Sequence, residues 1–321
     1  MAGKNGWLVS AFTQCRLCPK SCGIDRLKNI GFCGEDANLK VSAILPHFGE
    51  EPPISGRKGS GAVFFAGCSL KCKYCQNFQI SHQGLGKITS SYEVAKEIEA
   101  LYIKKNIHNV NFVTPDHFIP YTFEIVNIIR KKNILLPIVF NFSGYQRCKV
   151  IKLLGGYADI YLPDFKYSDK DLGMFLSNCK DYPKTAIEAI YEMVKQKGFL
   201  DCFSRYKDGG KKGGEIIAKK GVLVRHLILP GYIENSLNAL AILFIEFGKE
   251  LPISIMSQFY PVDCTEIPGL NRRITKEEFK KVFMYAKSLG FCNVFVQYPE
   301  KDNNKPVFLP DFSKKEPFRF N

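Results

Sequence analysis

The chain has 321 residues, 45% hydrophobic and 24% charged, with 45 Lys and Arg against 31 Asp and Glu for a formal net charge of +14. That composition excludes a disordered chain. No apolar run reaches the ~18–20 residues that a membrane-spanning helix needs. The first residues, MAGKNGWLVSAFTQ, lack the apolar stretch of a secretory signal, so the expected compartment is the cytoplasm. Only 10 of the 45 basic residues are Arg, and the Lys are spread along the chain, so a solvated surface is expected ahead of nucleic-acid binding.

Twelve cysteines are placed unevenly, seven of them within the first 75 residues. In a chain of this length without an export signal, clustered thiols point to metal or catalysis rather than disulfides. The first set is Cys15, Cys18, Cys22 and Cys33, inside a lead-in expected over residues 1–58. Four soft ligands this close, with Pro19, Gly23 and Gly34 at turn positions, suit either tetrahedral zinc or an iron–sulfur cluster. Both readings stay open at this level. Cys148, Cys179, Cys202, Cys264 and Cys292 are isolated and read as small core residues.

From residue 59 to 300 short apolar runs alternate with helical periodicity. Strands are expected at 61–67, 109–115, 137–144, 158–166, 221–231, 252–261 and 293–299. Helices are expected between them, the first opened by Ser90 or Ser91 with Glu93 in its first turn. The run DGGKKGG reads as a surface insertion, and residues 301–321 as a tail. Repeated β-then-α units with apolar strands imply a parallel sheet covered by helices, whose reactive groups gather at the strands' C-terminal ends. Polar residues do collect there: Cys68, Thr114, Asp116, His117, Asn141, Ser143, Asp164, Lys166, Arg225, His226, Gln258 and Tyr260. Arg225 and His226 are adjacent in one strand, so one at most can face a shared pocket.

The second thiol set follows the first barrel strand as GCSLKCKYCQN, with Cys68, Cys72 and Cys75 on one short loop. Three thiolates can hold three corners of an iron–sulfur cube and leave the fourth iron open for chemistry. Structural zinc with a borrowed fourth thiol is the bland alternative.

This loop, with Tyr74 before its last cysteine, resembles the CxxxCxxC signature of the radical S-adenosylmethionine (radical SAM) superfamily. HFGEEPPISGRKGSG, CQNFQISHQG, DIYLPDFKY and VRHLILPG further resemble the subgroup called pyruvate formate-lyase activating enzyme-like. The resemblance implies an α/β fold, a partial (β/α)6 TIM-type barrel, with a [4Fe-4S] cluster on Cys68, Cys72 and Cys75. It also implies S-adenosylmethionine (SAM) as cofactor, a flavodoxin- or ferredoxin-type electron donor, and a hydrogen atom taken from a partner protein or substrate. A glycyl-radical enzyme is one such partner; a small metabolite, a peptide or RNA is the alternative, and a non-enzymatic electron carrier the third. Tyr74, Asp164 and Lys166 are its expected SAM contacts. The Gly-Gly-Glu motif that usually grips the SAM amino group is replaced by VTPDHF. Asp116 and His117 are candidates to stand in for it, or equally caps of the next helix. Glu50 and Glu51 are a second source of carboxylate. Asn141, Ser143, Arg225, His226 and Tyr260 are candidates for the chemistry itself.

Overall fold

A computed structural model describes residues 10–203, 215–262, 266–299 and 309–318. The DGGKKGG run and Cys264 lie outside them. Among the described residues, ten strands form two sheets. β1 (Lys40–His47), β2 (Ser60–Phe65), β3 (Lys87–Ile88), β4 (Val110–Val113), β5 (Ile138–Phe142), β6 (Ile160–Pro163) and β7 (Gly221–Val222) run in the order β3-β1-β2-β4-β5-β6-β7. β8 (Val224–Leu227), β9 (Ile253–Met256) and β10 (Val294–Val296) run β10-β9-β8.

β7 and β8 flank Leu223, and a parallel bridge from Asp164 to Arg225 carries the pairing across the gap. All neighbours from β2 to β10 pair in parallel, which makes an open barrel. β1 was not expected as a strand. It runs antiparallel to β2 and β3 and extends the sheet by one hairpin.

Helices cover the outer face: α1 (Ser91–Lys105), α2 (Ile119–Lys131), α3 (Cys148–Leu154), α4 (Lys170–Ser177), α5 (Tyr182–Lys197), α6 (Ile233–Phe247) and α7 (Lys276–Leu289). Their ends follow local chemistry. Ser90 accepts from the Glu93 backbone N–H at the start of α1, and Thr275 with Glu278 makes a reciprocal capping box on α7. The strands β2, β4, β5 and β6 are buried at every position, as strands covered on both faces must be. Phe65, Phe112, Phe140 and Tyr161 pack outward against the helices. Val139, Ile160, Leu162 and Leu223 form a separate inner cluster with Ile54.

Ile54 belongs to a single turn, Pro52–Ser55, that dips into the barrel and plugs its floor. Asn109 secures the plug by donating to the Ile54 carbonyl, at 2.7 Å. The residues just before it, Glu50 and Glu51, are thereby carried into the barrel's interior. No helix among the described residues is long and apolar enough to cross a membrane.

Candidate active-site cavity

At the C-terminal ends of the strands lies a cavity open to solvent. The loop after β2 supplies Cys68, Cys72 and Cys75, and all three thiols line the cavity. Burial pushes the Cys68 thiol up, and pushes Cys75 up to about 11, each reinforced by the neighbouring thiols. The loop prepares its sulfurs with donors: Leu70 N–H lies 3.4 Å from Cys68 Sγ, and Ser81 Oγ donates to Cys75 Sγ at 3.2 Å. Tyr74 also lines the cavity, its ring packed 6.1 Å from Phe259 and 6.4 Å from Tyr167.

The opposite wall is a charged network built on Arg225. Its Nε donates to Asp164 Oδ1 at 2.9 Å, Nη1 to Glu50 Oε2 at 2.9 Å, and Nη2 to Asn141 Oδ1 at 2.6 Å. Glu50 Oε1 accepts from Asn111 and Asn141, both at 2.9 Å. Lys166 Nζ donates to Asp164 Oδ2 at 2.6 Å. Burial alone would push the Asp164 carboxyl up, yet Arg225 and Lys166 outweigh it and hold the group below its usual range. Burial likewise works to lower Lys166, and Asp164 with the Cys72 thiol raises it instead. Both stay charged at neutral pH.

Glu51 is different. It lines the same cavity, Oε2 is buried with no hydrogen-bond partner, and burial pushes its carboxyl up. A buried acceptor without a donor costs about 1–3 kcal/mol, so this oxygen is set for a ligand's N–H or O–H. Ser143 completes the polar lining, and Phe64, Val113, Leu227 and Met256 make it apolar elsewhere. Thr114, at the end of β4, has φ of +55°, an outlier for a β-branched residue. The strain sits where VTPDHF replaces the expected glycines.

Four of the expected pocket residues are not in the cavity lining. Asp116 turns away to accept from Gln146 at 2.5 Å, and burial pushes its carboxyl up to about 6. His117 packs behind the Cys68 loop with Nε2 2.6 Å from the Ala66 carbonyl; burial lowers it to about 3, so it is neutral and this nitrogen donates. Both sit in the short 3₁₀ turn Asp116–Phe118, whose direction is set by core packing of Phe118 rather than by the pocket. His226 alternates away from Arg225, as neighbours in a strand must. It is buried between the Phe165 carbonyl at 2.6 Å and Ser236 Oγ at 2.9 Å, and burial lowers it to about 4. Tyr260 lies beyond β9 under the Arg273 guanidinium, 5.9 Å from its ring centre. Glu50 and Glu51, the second source of carboxylate in the sequence, both line the cavity.

Known proteins resemble this chain. Residues 62–206 match the family described as the Radical SAM superfamily, a segment that begins in β2 and carries Cys68, Cys72, Cys75, Asn141, Asp164 and Lys166. That family uses a [4Fe-4S] cluster and SAM. The chain is 27% identical over 290 residues to the uncharacterized protein MJ0674 of Methanocaldococcus jannaschii, covering 88% of this chain and 77% of that one. Among solved structures it is similar to SuiB of Streptococcus suis bound to S-adenosylmethionine, at 10% identity and a TM-score of 0.45 over 72% of this chain. It spans about half of that protein, 47%. Methylornithine synthase (PylB) is 13% identical with a TM-score of 0.42, over 78% of this chain and 75% of that one.

Proposed function

Taking residues 62–206 as a radical SAM domain, we propose that this chain is an enzyme that cleaves SAM reductively and takes a hydrogen atom from a substrate held in the same cavity. The observation that carries the reading is the pairing of walls. Three thiols and, among the described residues, no fourth cysteine line one side, and the Arg225 network lines the other. The donor set fits a [4Fe-4S] cluster. Cys68 is buried and Cys75 half-buried, and burial with the neighbouring thiols pushes both thiols up, a repulsion that a cationic iron core would relieve. Held by these three thiols, such a cluster would supply the electron for the reductive cleavage of SAM.

The protein's part is binding, orientation and exclusion of water. Lys166 offers an ammonium to the methionyl carboxylate while Asp164 fixes its position and accepts from ribose hydroxyls. Glu51 accepts an N–H or O–H from a ligand. Arg225 keeps Glu50 and Asn141 rigid, so the wall does not reorganise as charge moves. Tyr74, Leu227 and Met256 keep that space dry. The electron comes from a low-potential donor of the flavodoxin or ferredoxin type, in the cytoplasm.

The C-terminal segment favours a compact substrate. Phe318 lines the cavity, and Phe312 and Phe318 pack 5.4 and 5.3 Å from Phe64. Gln79 anchors this segment by accepting from Phe312 N–H at 2.7 Å. A small polar molecule fits beneath it. Activation of a glycyl-radical protein is the second reading, supported by the resemblance of HFGEEPP and PDFKY to activating enzymes, and it requires a partner loop to pass Phe318.

The test is anaerobic reconstitution with iron and sulfide, then incubation with dithionite and SAM. 5′-Deoxyadenosine and methionine are expected from the wild type and neither from Cys72→Ala. Absence of the nucleoside from an iron-loaded wild type overturns the reading. A glycyl-radical doublet formed in an added glycyl-radical protein would select the second reading over the first.

A further inference from the structure

The N-terminal thiols take no part in the reaction proposed above, yet they are organised. Cys15, Cys18 and Cys33 are buried and Cys22 half-buried. Cys15 N–H donates to the Ile24 carbonyl at 3.0 Å and Gly23 N–H to the Cys15 carbonyl at 2.9 Å, so the Cys22 segment lies beside Cys15. Ser21 N–H donates to the Cys18 carbonyl at 3.0 Å and closes the turn between them.

Arg26 sits at the centre of this segment and is 0% exposed. Its guanidinium donates to the carbonyls of Glu35 at 3.2 Å, Asp36 at 2.5 Å and His117 at 2.6 Å, and Nη1 lies 3.8 Å from Cys15 Sγ. Its stem and the Cys33 sulfur crowd the same glycine: a Cβ on Gly31 would lie 3.3 Å from Arg26 Cδ and 3.4 Å from Cys33 Sγ. Phe12 and Phe118 stack on the guanidinium, 4.9 and 5.4 Å away. Among the described residues no carboxylate is within ion-pairing distance of it. The Glu35 carboxylate goes to Lys40 instead, at 3.4 Å. The contrast is Arg225, half-buried, which pairs with Glu50 and Asp164.

A guanidinium taken out of water without a counter-charge costs several kcal/mol. Carbonyl dipoles offset part of that and leave the net charge in place. Among the described residues, the side chain in contact with the guanidinium that can carry negative charge is the Cys15 thiol. We propose that Cys15, Cys18, Cys22 and Cys33 hold an iron–sulfur cluster whose net negative charge Arg26 balances. Zinc fits the arrangement less well. Tetrahedral zinc draws its sulfurs within ~2.3 Å of one point, and among the described residues no three such ligands converge on a single-ion position. A cube spreads its ligands over separate corners. The site is built against the other thiol loop: Cys68 N–H donates to the Cys33 carbonyl at 3.0 Å. A Cβ on Gly67 would lie 2.9 Å from that same oxygen.

This inference stands whether or not SAM binds, and its test is separate. The full chain with Cys68, Cys72 and Cys75 all changed to Ala is reconstituted anaerobically with iron, sulfide and zinc together, beside the wild type and a Cys15→Ala/Cys18→Ala variant. About eight irons are expected in the wild type and about four in each variant, with no stoichiometric zinc. One zinc and no iron in the triple variant, or neither metal, overturns the proposal. Arg26→Gln removes the charge but keeps donors; the cluster retained by the triple variant should then show a lower reduction potential. An unchanged potential overturns the charge-balancing role, and the iron count of the Arg26-containing triple variant decides the cluster itself should Arg26→Gln not fold.

Discussion

Arg225 holds three neighbours in place at once, and its removal would strand two buried carboxylates, Glu50 and Asp164. Arg225→Met should therefore cost about 3–5 kcal/mol in urea unfolding. A loss under about 1 kcal/mol would show that water already screens the network. His226 tests burial differently. It is neutral in the fold, with its pKa lowered to about 4 by burial, against an unfolded value near 6.5. Its contribution is thus fully present above pH ~6.5 and is lost as pH falls toward about 4, at up to ~1.4 kcal/mol per pH unit. Asp116, raised to about 6, works in the opposite direction over part of that range, so the useful quantity is a difference. His226→Gln should lose less stability than the wild type between pH 7 and pH 4.5; equal losses would contradict a buried neutral histidine. Of these residues, the three cavity thiols were legible in the sequence because their spacing is local. The partnership of Glu50 with Arg225 was not, since 175 residues separate them and only the barrel's closure brings them together.

At the scale of elements, the strand ends are fixed by close backbone approaches. Gly144, just past β5, has φ of +84°, and a Cβ there would lie 1.8 Å from the Asp164 carbonyl oxygen and 2.6 Å from the Tyr182 hydroxyl. Tyr182 Oη lies at that junction, 2.8 Å from the Ser143 carbonyl and 2.9 Å from that of Asp164, and its one proton is shared between them. Gly144→Ala should cost more than ~4 kcal/mol or prevent folding, read as a thermal midpoint many degrees lower. A midpoint within a degree or two of the wild type would mean the two strand ends are farther apart than described. The helices were legible because their apolar spacing and caps are local signals, as Ser90 illustrates. β1 escaped because KVSAILPH pairs antiparallel, outside the β-then-α rhythm, and its partners come later in the chain. The plug at Pro52–Ser55 escaped for a related reason: a short Pro-rich stretch looks like a surface turn until a barrel closes around it. Likewise Asp116 and His117 stand at the right strand end, but the 3₁₀ turn rotates them behind the wall.

Across the whole molecule, one face of the barrel carries the cavity with its three thiols, and Phe318 of the described tail residues 309–318 lines its mouth. If Phe318 limits access, Phe318→Ala in reconstituted protein should bleach several-fold faster in air, followed by the decay of cluster absorbance. An unchanged rate would show that the segment does not gate the cavity. The net charge of +14 plays no visible part in that face, where acidic Glu50, Glu51 and Asp164 stand beside Lys166 and Arg225. The claim on which the functional account turns is that the Cys68 loop leaves one iron free and that SAM takes it. It is measured most directly by the electron paramagnetic resonance spectrum of the dithionite-reduced Cys15→Ala/Cys18→Ala protein, which keeps only that site, before and after SAM is added. A changed g-tensor together with line broadening from ¹⁷O-labelled SAM carboxylate is the predicted result; an identical spectrum in both states would contradict it.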